Sequence, residues 1–216
     1  MLSRINGITK DEYYDENYVF VCTCGDLRDT LFVTVWNWES DLEVFKGKTF
    51  KDSLSEYIEV FLTPSASHFL GYFDRFKTFF KYLFLKSKCT YDVMEFRTKD
   101  IESFRKILVD FRVKVAELAA FFGQQNDLPA PQELKENQVC LKCKSGKELI
   151  FSISETSRED FGIDVLEMFV CLPQNGFFKR LKHGLKYFGS DSSEYLNLTY
   201  EDAGKLHSLL AKMKLC

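Results

Sequence analysis

Apolar and polar positions along the chain fall into two kinds of pattern, and the same succession occurs twice. VFVCTC (19–24), DTLFVTVW (29–36) and EYIEVFL (56–62) alternate or run apolar with β-branched and aromatic residues, as strands do. QVCLKC (138–143), ELIFSIS (148–154) and DVLEMFVCL (164–172) repeat this in the second half. After Pro64 and after Pro173 the period changes. Phe73, Phe76, Phe80 and Leu83 recur at intervals of three, four and three, and so do Phe178, Leu181, Leu185 and Phe188. That spacing predicts one apolar stripe along an amphipathic helix, facing a core. A short strand follows each time, DVMEFR (92–97) or EYLNL (194–198), and then a second helix. Its start is marked by Thr98 or Thr199, whose hydroxyl can cap free backbone N–H groups. Asp100, or Glu201 with Asp202, stands near the positive end of the dipole. The first of these helices is expected to run to Phe122 and stop at Gly123.

The repetition extends to individual residues. FDRFKTFFKYLF (73–84) lies over FKRLKHGLKYFG (178–189), matching Phe73/Phe178, Arg75/Arg180, Lys77/Lys182, Lys81/Lys186 and Tyr82/Tyr187, with Gly71/Gly176 upstream. EYIEVFLTP aligns with DVLEMFVCLP at Glu59/Glu167 and Phe61/Phe169. EFRTKDIESFRKIL (95–108) aligns with NLTYEDAGKLHSLL (197–210), and CGDLRDTLF (24–32) with CKSGKELIF (143–151). Blocks kept in one order point to an internal duplication. The fold expected is α+β, built from two tandem pseudo-symmetric β-β-β-α-β-α repeats, each an antiparallel sheet covered by two helices. Residues 1–17 read as a lead and 18–122 as the first repeat, with an insertion at 36–54. GQQNDLPAPQELKEN (123–137), with two of the four prolines, reads as the linker, and 138–216 as the second repeat.

Composition sharpens this picture in three places. The chain is 45% hydrophobic and 28% charged, which fits a globular protein, and its 22 phenylalanines supply large aromatic area for small cores. A formal net charge of −3 gives no global attraction to a polyanion, so nucleic-acid or anionic-membrane binding would need a local patch. No run of about 18 apolar residues occurs and the start shows no secretory pattern, so no membrane span and a cytoplasmic location are expected. The seven cysteines are odd in number and lack a disulfide-framework spacing, which suits a reducing compartment and free thiols.

Candidate chemistry is sparse. Lys179, Arg180, Lys182 and Lys186, with Arg75, Lys77 and Lys81 in the first copy, make locally basic segments, and Tyr82 and Tyr187 could stack on bases. Snorkelling lysines on an ordinary helix face explain the same pattern. A helix whose apolar stripe already covers a sheet has little left for lipid. Trp36 and Trp38, at the base of the insertion, share one face of a strand end and read as core or as exposed anchors. Cys22 and Cys24 with Cys140 and Cys143 could hold zinc if the first strands of the two halves lay side by side, since tetrahedral zinc takes four ligands at about 2.3 Å. Buried free cysteines are the ordinary alternative. His68, His183 and His207 each stand alone, and no nucleophile elbow, dinucleotide loop or phosphate loop is present. No catalytic residue, resident metal or cofactor is therefore expected.

The Cys-x-Cys strand, the helix motif Phe178, Lys179, Arg180, Leu181, Lys182, Lys186, Tyr187, Phe188, Gly189 and the helix start Glu201, Asp202, Ala203 resemble a group of short uncharacterised bacteriophage proteins. The likeness covers nearly all of 137–214 and, more weakly, 18–108; Asp74 departs from the basic character of the motif in the first copy. It implies a phage origin. Together with the missing catalytic motifs, it leads to the expectation of a binding protein for host takeover or for blocking a defence system. The expected target is a host protein or nucleoprotein complex in the host cytoplasm; the runner-up is a nucleic-acid-binding module using the basic helices. The oligomeric state is left open.

Overall fold

The computed structural model of the chain describes residues 9–10, 15–23, 30–37, 41–65, 80, 83–84, 90–96, 98–130, 134, 136–142, 148–154, 164–171, 176–178, 181 and 196–213. Among these residues the strands are β1 (Thr9–Lys10), β2 (Asp15–Val21), β3 (Thr30–Trp36), β4 (Glu59–Ser65), β5 (Thr90–Glu95), β6 (Gln138–Lys142), β7 (Glu148–Ser154), β8 (Val165–Cys171) and β9 (Leu196–Asn197). The α-helices whose bounds are described are α1 (Phe50–Tyr57), α2 (Thr98–Phe121) and α3 (Tyr200–Ala211). The protein is thus α+β, with two antiparallel sheets.

Strand order departs from the expectation of self-contained halves. Sheet 1 runs β1-β2-β3-β4-β9 and sheet 2 runs β5-β8-β7-β6. The first half lays β1 to β4 into sheet 1 and sends β5 to the edge of sheet 2, and the second half lays β6 to β8 into sheet 2 and sends β9 to the edge of sheet 1. β5 pairs with β8, setting Met94 opposite Met168 and Glu95 opposite Glu167. β9 pairs with β4, setting Leu196 opposite Leu62, and the Leu198 N–H donates to the Val60 carbonyl at 2.8 Å. The sheets are also tied where β2 ends: Thr23 donates its N–H to the Glu95 carbonyl at 2.9 Å and its hydroxyl to Glu95 Oε2 at 2.8 Å.

The exchange produces one core in place of two. Phe104 of α2 has ring centroids of Phe20 (β2), Phe96 (just past β5) and Phe151 (β7) at 5.5, 5.9 and 6.0 Å, so aromatics from both sheets meet on one helix. A four-stranded sheet with two helices is a small body with a poor ratio of buried to exposed surface, and merging two interiors improves that ratio. Buried Ile101, Phe104, Leu108, Phe111, Val115 and Leu118 recur at helical spacing along α2. Leu206, Leu209 and Leu210 do the same on α3, which packs beside α2.

Helix ends follow local chemistry. Thr199 caps α3 by accepting the Asp202 N–H at 3.1 Å, while its own hydroxyl donates to Asp202 Oδ2 at 2.7 Å. Thr49 and Asp52 repeat that geometry at the start of α1, at 3.3 and 2.6 Å. α2 ends one residue before the expected Phe122, and Gly123 adopts φ 67°, where a Cβ would be strained. Thr98, expected as the cap of α2, lies inside its first turn.

Three other expectations are revised. The strand foreseen at 56–62 begins only at Glu59, because the Thr49 cap starts a helix that takes Tyr57. The insertion at 36–54 folds inward: Phe45 is buried edge-on to Tyr57 at 6.0 Å, and Phe50 meets Phe122 at 6.3 Å, so its aromatics brace the end of α2. Residues read as a lead supply β1 and the beginning of β2. The linker, too, is docked: Leu128 and Leu134 pack on the core and the Lys212 amine donates to the Leu134 carbonyl at 2.5 Å.

The sequence alignment of the halves also slips. It set Phe32 over Phe151, yet Phe32 is 41% exposed and Phe151 is fully buried. By register, Val33 stands opposite Leu62 as Phe151 stands opposite Met168, so the match moves by one residue. A one-residue slip turns every side chain to the other face of a sheet. Glu59 likewise does not correspond to Glu167, which takes the place of Phe61; this slip of two residues preserves the facing.

Candidate functional site

Phenylalanine doublets generate the most conspicuous surface. Consecutive residues on a helix lie about 100° apart, so the doublets Phe79-Phe80 and Phe177-Phe178 span about the full width of a buried stripe and leave their neighbouring aromatics at its margin. Among the described residues of the first such segment, Leu83 is buried whereas Phe80 and Phe84, one turn apart, are 42% and 59% exposed. In the second, Phe177 is 42% and Phe178 82% exposed, while Leu181 is half-buried. Gly176 precedes this segment at φ 51°, with no atom within 4 Å of where a Cβ would sit, so backbone conformation and not space favours glycine there.

The four exposed rings form one chain of contacts. Phe80 stacks on Phe84 at 5.4 Å and 26°, Phe84 meets Phe177 at 6.0 Å, and Phe177 meets Phe178 edge-on at 5.7 Å. The patch therefore joins a helical segment of the first half to one of the second. With each ring offering 150–250 Å² in all, the exposed part amounts to roughly 450 Å², within the range of the largest, often functional, apolar patches on monomers. Phe80 and Phe178 were both expected on the stripe that faces a core; the structure places them outside it.

Most residues singled out from the sequence flank this patch along the chain. Arg75, Lys77, Lys81, Tyr82, Lys179, Arg180, Lys182, Lys186 and Tyr187 lie outside the described residues, as do Trp38, Cys24 and Cys143. Trp36 is half-buried on the outer face of sheet 1, its ring 4.5 Å from that of Phe61. The pairing of first strands on which the zinc alternative depended is absent, since β2 and β6 belong to different sheets. Cys22 is buried at the end of β2, whereas Cys140 projects outward from β6. Among the described residues, no three His, Cys, Asp or Glu side chains converge in a way that could hold a metal ion. Nor is any helix among them long and apolar enough to cross a membrane.

Ionisable groups do gather along α2, where they bind elements together. The Tyr18 hydroxyl donates to Glu16 Oε2 at 2.5 Å; burial, then that carboxylate, pushes its pKa far above the ordinary phenol value. Tyr57 donates to Glu117 Oε2 at 3.5 Å and is raised by burial and by Glu117. Lys114 is lowered by burial, against the opposing pull of Glu117, Glu16 and Asp110. Both phenols thus remain protonated donors; the Tyr57 bond ties α1 to α2, whereas the Tyr18 bond closes within β2. On the other side of α2, Arg112 donates to the Tyr200 hydroxyl at 3.2 Å with its guanidinium 4.8 Å from the ring centre. His207 of α3 is held below its usual pKa by burial, then by Arg105 and Arg112, which keeps the imidazole neutral at pH 7.

Sequence reasoning did not single out Phe84 and Phe177. The doublets were the available signal, since two adjacent aromatics about 100° apart take up the full width of a buried stripe and leave little room for the further phenylalanines nearby. No protein-family profile, no curated protein and no solved structure matches this chain.

Proposed function

We propose that the chain is a non-catalytic binding protein that captures a partner protein on the Phe80–Phe84–Phe177–Phe178 patch. The observation that carries this reading is the contiguity of the four rings: exposed phenylalanines from two distant parts of the chain touch one another and leave Phe178 82% exposed. Leaving that much aromatic surface in water is unfavourable, and surfaces of this kind supply the anchors that dominate interface energies. The scaffold beneath it is read as a duplicated β-β-β-α-β-α unit whose fourth strands have changed places, which brings the helical segments of both copies to one side. On the resemblance to bacteriophage proteins, the partner is a host protein or nucleoprotein complex, and the role is host takeover or inhibition of a defence system in the host cytoplasm.

The decisive experiment captures partners from infected-cell lysate with the natural chain and with a Phe84→Ser/Phe178→Ser variant. A stoichiometric partner held by the first and lost by the second is expected. No stoichiometric partner, or equal capture by both chains, would overturn the reading.

Nucleic-acid binding is the second reading, supported by the basic residues that follow Phe80 and Phe178 in the sequence. Rings packed against one another offer fewer free faces for bases than the separated platforms of single-strand binders, which ranks it below the first.

A further inference from the structure

We infer that the segment docking on the phenylalanine patch is an acidic stretch of a partner protein that carries its own apolar anchors. This rests on the patch being the docking surface and concerns only what it takes. Phe80 and Phe84 lie within residues 75–91, and Phe177 and Phe178 within 168–190; neither stretch contains Asp or Glu. The first holds Arg75, Lys77, Lys81, Lys86 and Lys88, and the second Lys179, Arg180, Lys182 and Lys186. Lys81 is bonded directly to Phe80 and Lys179 directly to Phe178, and adjacent Cα atoms are about 3.8 Å apart, so two of the four rings have a cationic residue as their immediate chain neighbour.

Charge across the whole chain then selects the kind of anion. These two stretches contribute nine positive charges to a chain total of −3, so the remainder carries −12. An extended polyanion, such as a nucleic-acid backbone or an anionic bilayer, reaches well beyond a screening length of about 8 Å and meets that negative remainder. A short acidic segment does not. Its carboxylates can sit at the basic rim, where they accelerate encounter and choose the partner, while leucine or aromatic side chains fill the ring surface and slow dissociation. The patch itself supplies no hydrogen-bonding group from its four phenyl rings, so selectivity has to come from this rim.

Fluorescence anisotropy on the full chain tests the inference with a labelled peptide bearing Glu and Asp on one helical face and Leu and Trp on the other. Its controls are the same peptide with Lys in place of the acids, a thymidine oligonucleotide, and vesicles of phosphatidylglycerol. The acidic peptide should bind at least about tenfold more tightly than its lysine counterpart and more tightly than the oligonucleotide or the vesicles. Lys81→Glu/Lys179→Glu should weaken it about tenfold, equivalent to about 1.4 kcal/mol. Phe84→Ser/Phe178→Ser should remove binding. Equal affinity for acidic and basic peptides, with the phenylalanine dependence intact, overturns the inference and leaves the patch as a docking surface. Preference for the oligonucleotide or the vesicles does the same. Peptide binding that survives the phenylalanine changes overturns the patch itself, and the inference with it.

Discussion

The two halves of the chain perform the same packing task with unequal means. In the first half, β1 covers the outer edge of β2, an insertion adds α1, and the helix that follows β5 has 24 residues. In sheet 2, β6 has no strand beyond it among the described residues, and the corresponding helix has 12 residues. The exchanged strands differ as well: β5 has six residues and an irregularity between Tyr91 and Met94, whereas β9 has two residues. The extra length of α2 and the added α1 enlarge the core on the side of the first half, through Phe111, Val115, Leu118 and Tyr57. The junction of Phe20, Phe96, Phe104 and Phe151 draws on both halves at once, so neither half owns the most aromatic part of the interior.

Severing the halves tests that shared ownership most severely. Pieces comprising 1–130 and 131–216 would lack β9 and β5 respectively, leaving the edge of β4 or β8 without its described partner. Co-expressed, they should assemble into a one-to-one complex that unfolds in a single cooperative transition. Expressed alone, neither should give a monomer with a sigmoidal denaturation curve, and self-association through the open edges is expected. Size-exclusion chromatography and circular dichroism distinguish the outcomes. Two independently stable monomers would mean that the strand exchange is incidental to stability.

Truncating Phe104 should have the next largest effect. Its ring is fully buried among three others, and Phe→Ala at such a site costs about 3–5 kcal/mol. Leu206, aligned with it on α3 and also fully buried, should cost about 2–5 kcal/mol when changed to Ala, and less than Phe104 in the same protein. The comparison is sharpened by native-state hydrogen exchange. Phe104→Ala should accelerate exchange in β3 and β7 together, because the one ring supports both sheets. Acceleration confined to β3 would restore the picture of two separate cores.

What could be read beforehand, and what could not, divides along the range of the interactions concerned. Thr199 and Gly123 marked helix ends correctly, because a cap is decided by a few adjacent residues. The three sequential strands of each half were legible from alternation, as in Leu149, Phe151 and Ile153 of β7, all of which face inward. The destination of β5 was not legible. The edges of β4 and β8 present the same kind of unpaired backbone, and the choice between them is made by Phe96 reaching Phe104 and Phe151, a contact that no local pattern encodes. Periodicity also put Phe80 and Phe178 on a stripe facing a core, where the structure leaves both exposed. Segments this rich in phenylalanine contain more apolar surface than one helix face can bury, and the surplus became the patch.

The smallest effect concerns a residue at which α3 differs from the stretch of α2 aligned with it in sequence. Gly204 lies in the interior of α3 where Glu102 lies in α2, and its backbone does not adopt a positive φ. A Cβ there would come no nearer than 3.7 Å to any atom, meeting the Arg112 guanidinium at ordinary van der Waals distance. Gly204→Ala therefore removes the entropy penalty of glycine in a helix without a clash, and should stabilise the protein by about 0.5–1 kcal/mol. The methyl group would also cover Arg112 Nε, which is buried without a hydrogen-bond partner, from the α3 side, and that works against the gain. The net sign, read from the urea midpoint at unchanged m-value, decides between them. Stabilisation identifies α3 as a helix limited by its own backbone; destabilisation means that glycine is there to give Arg112 room to reach Tyr200.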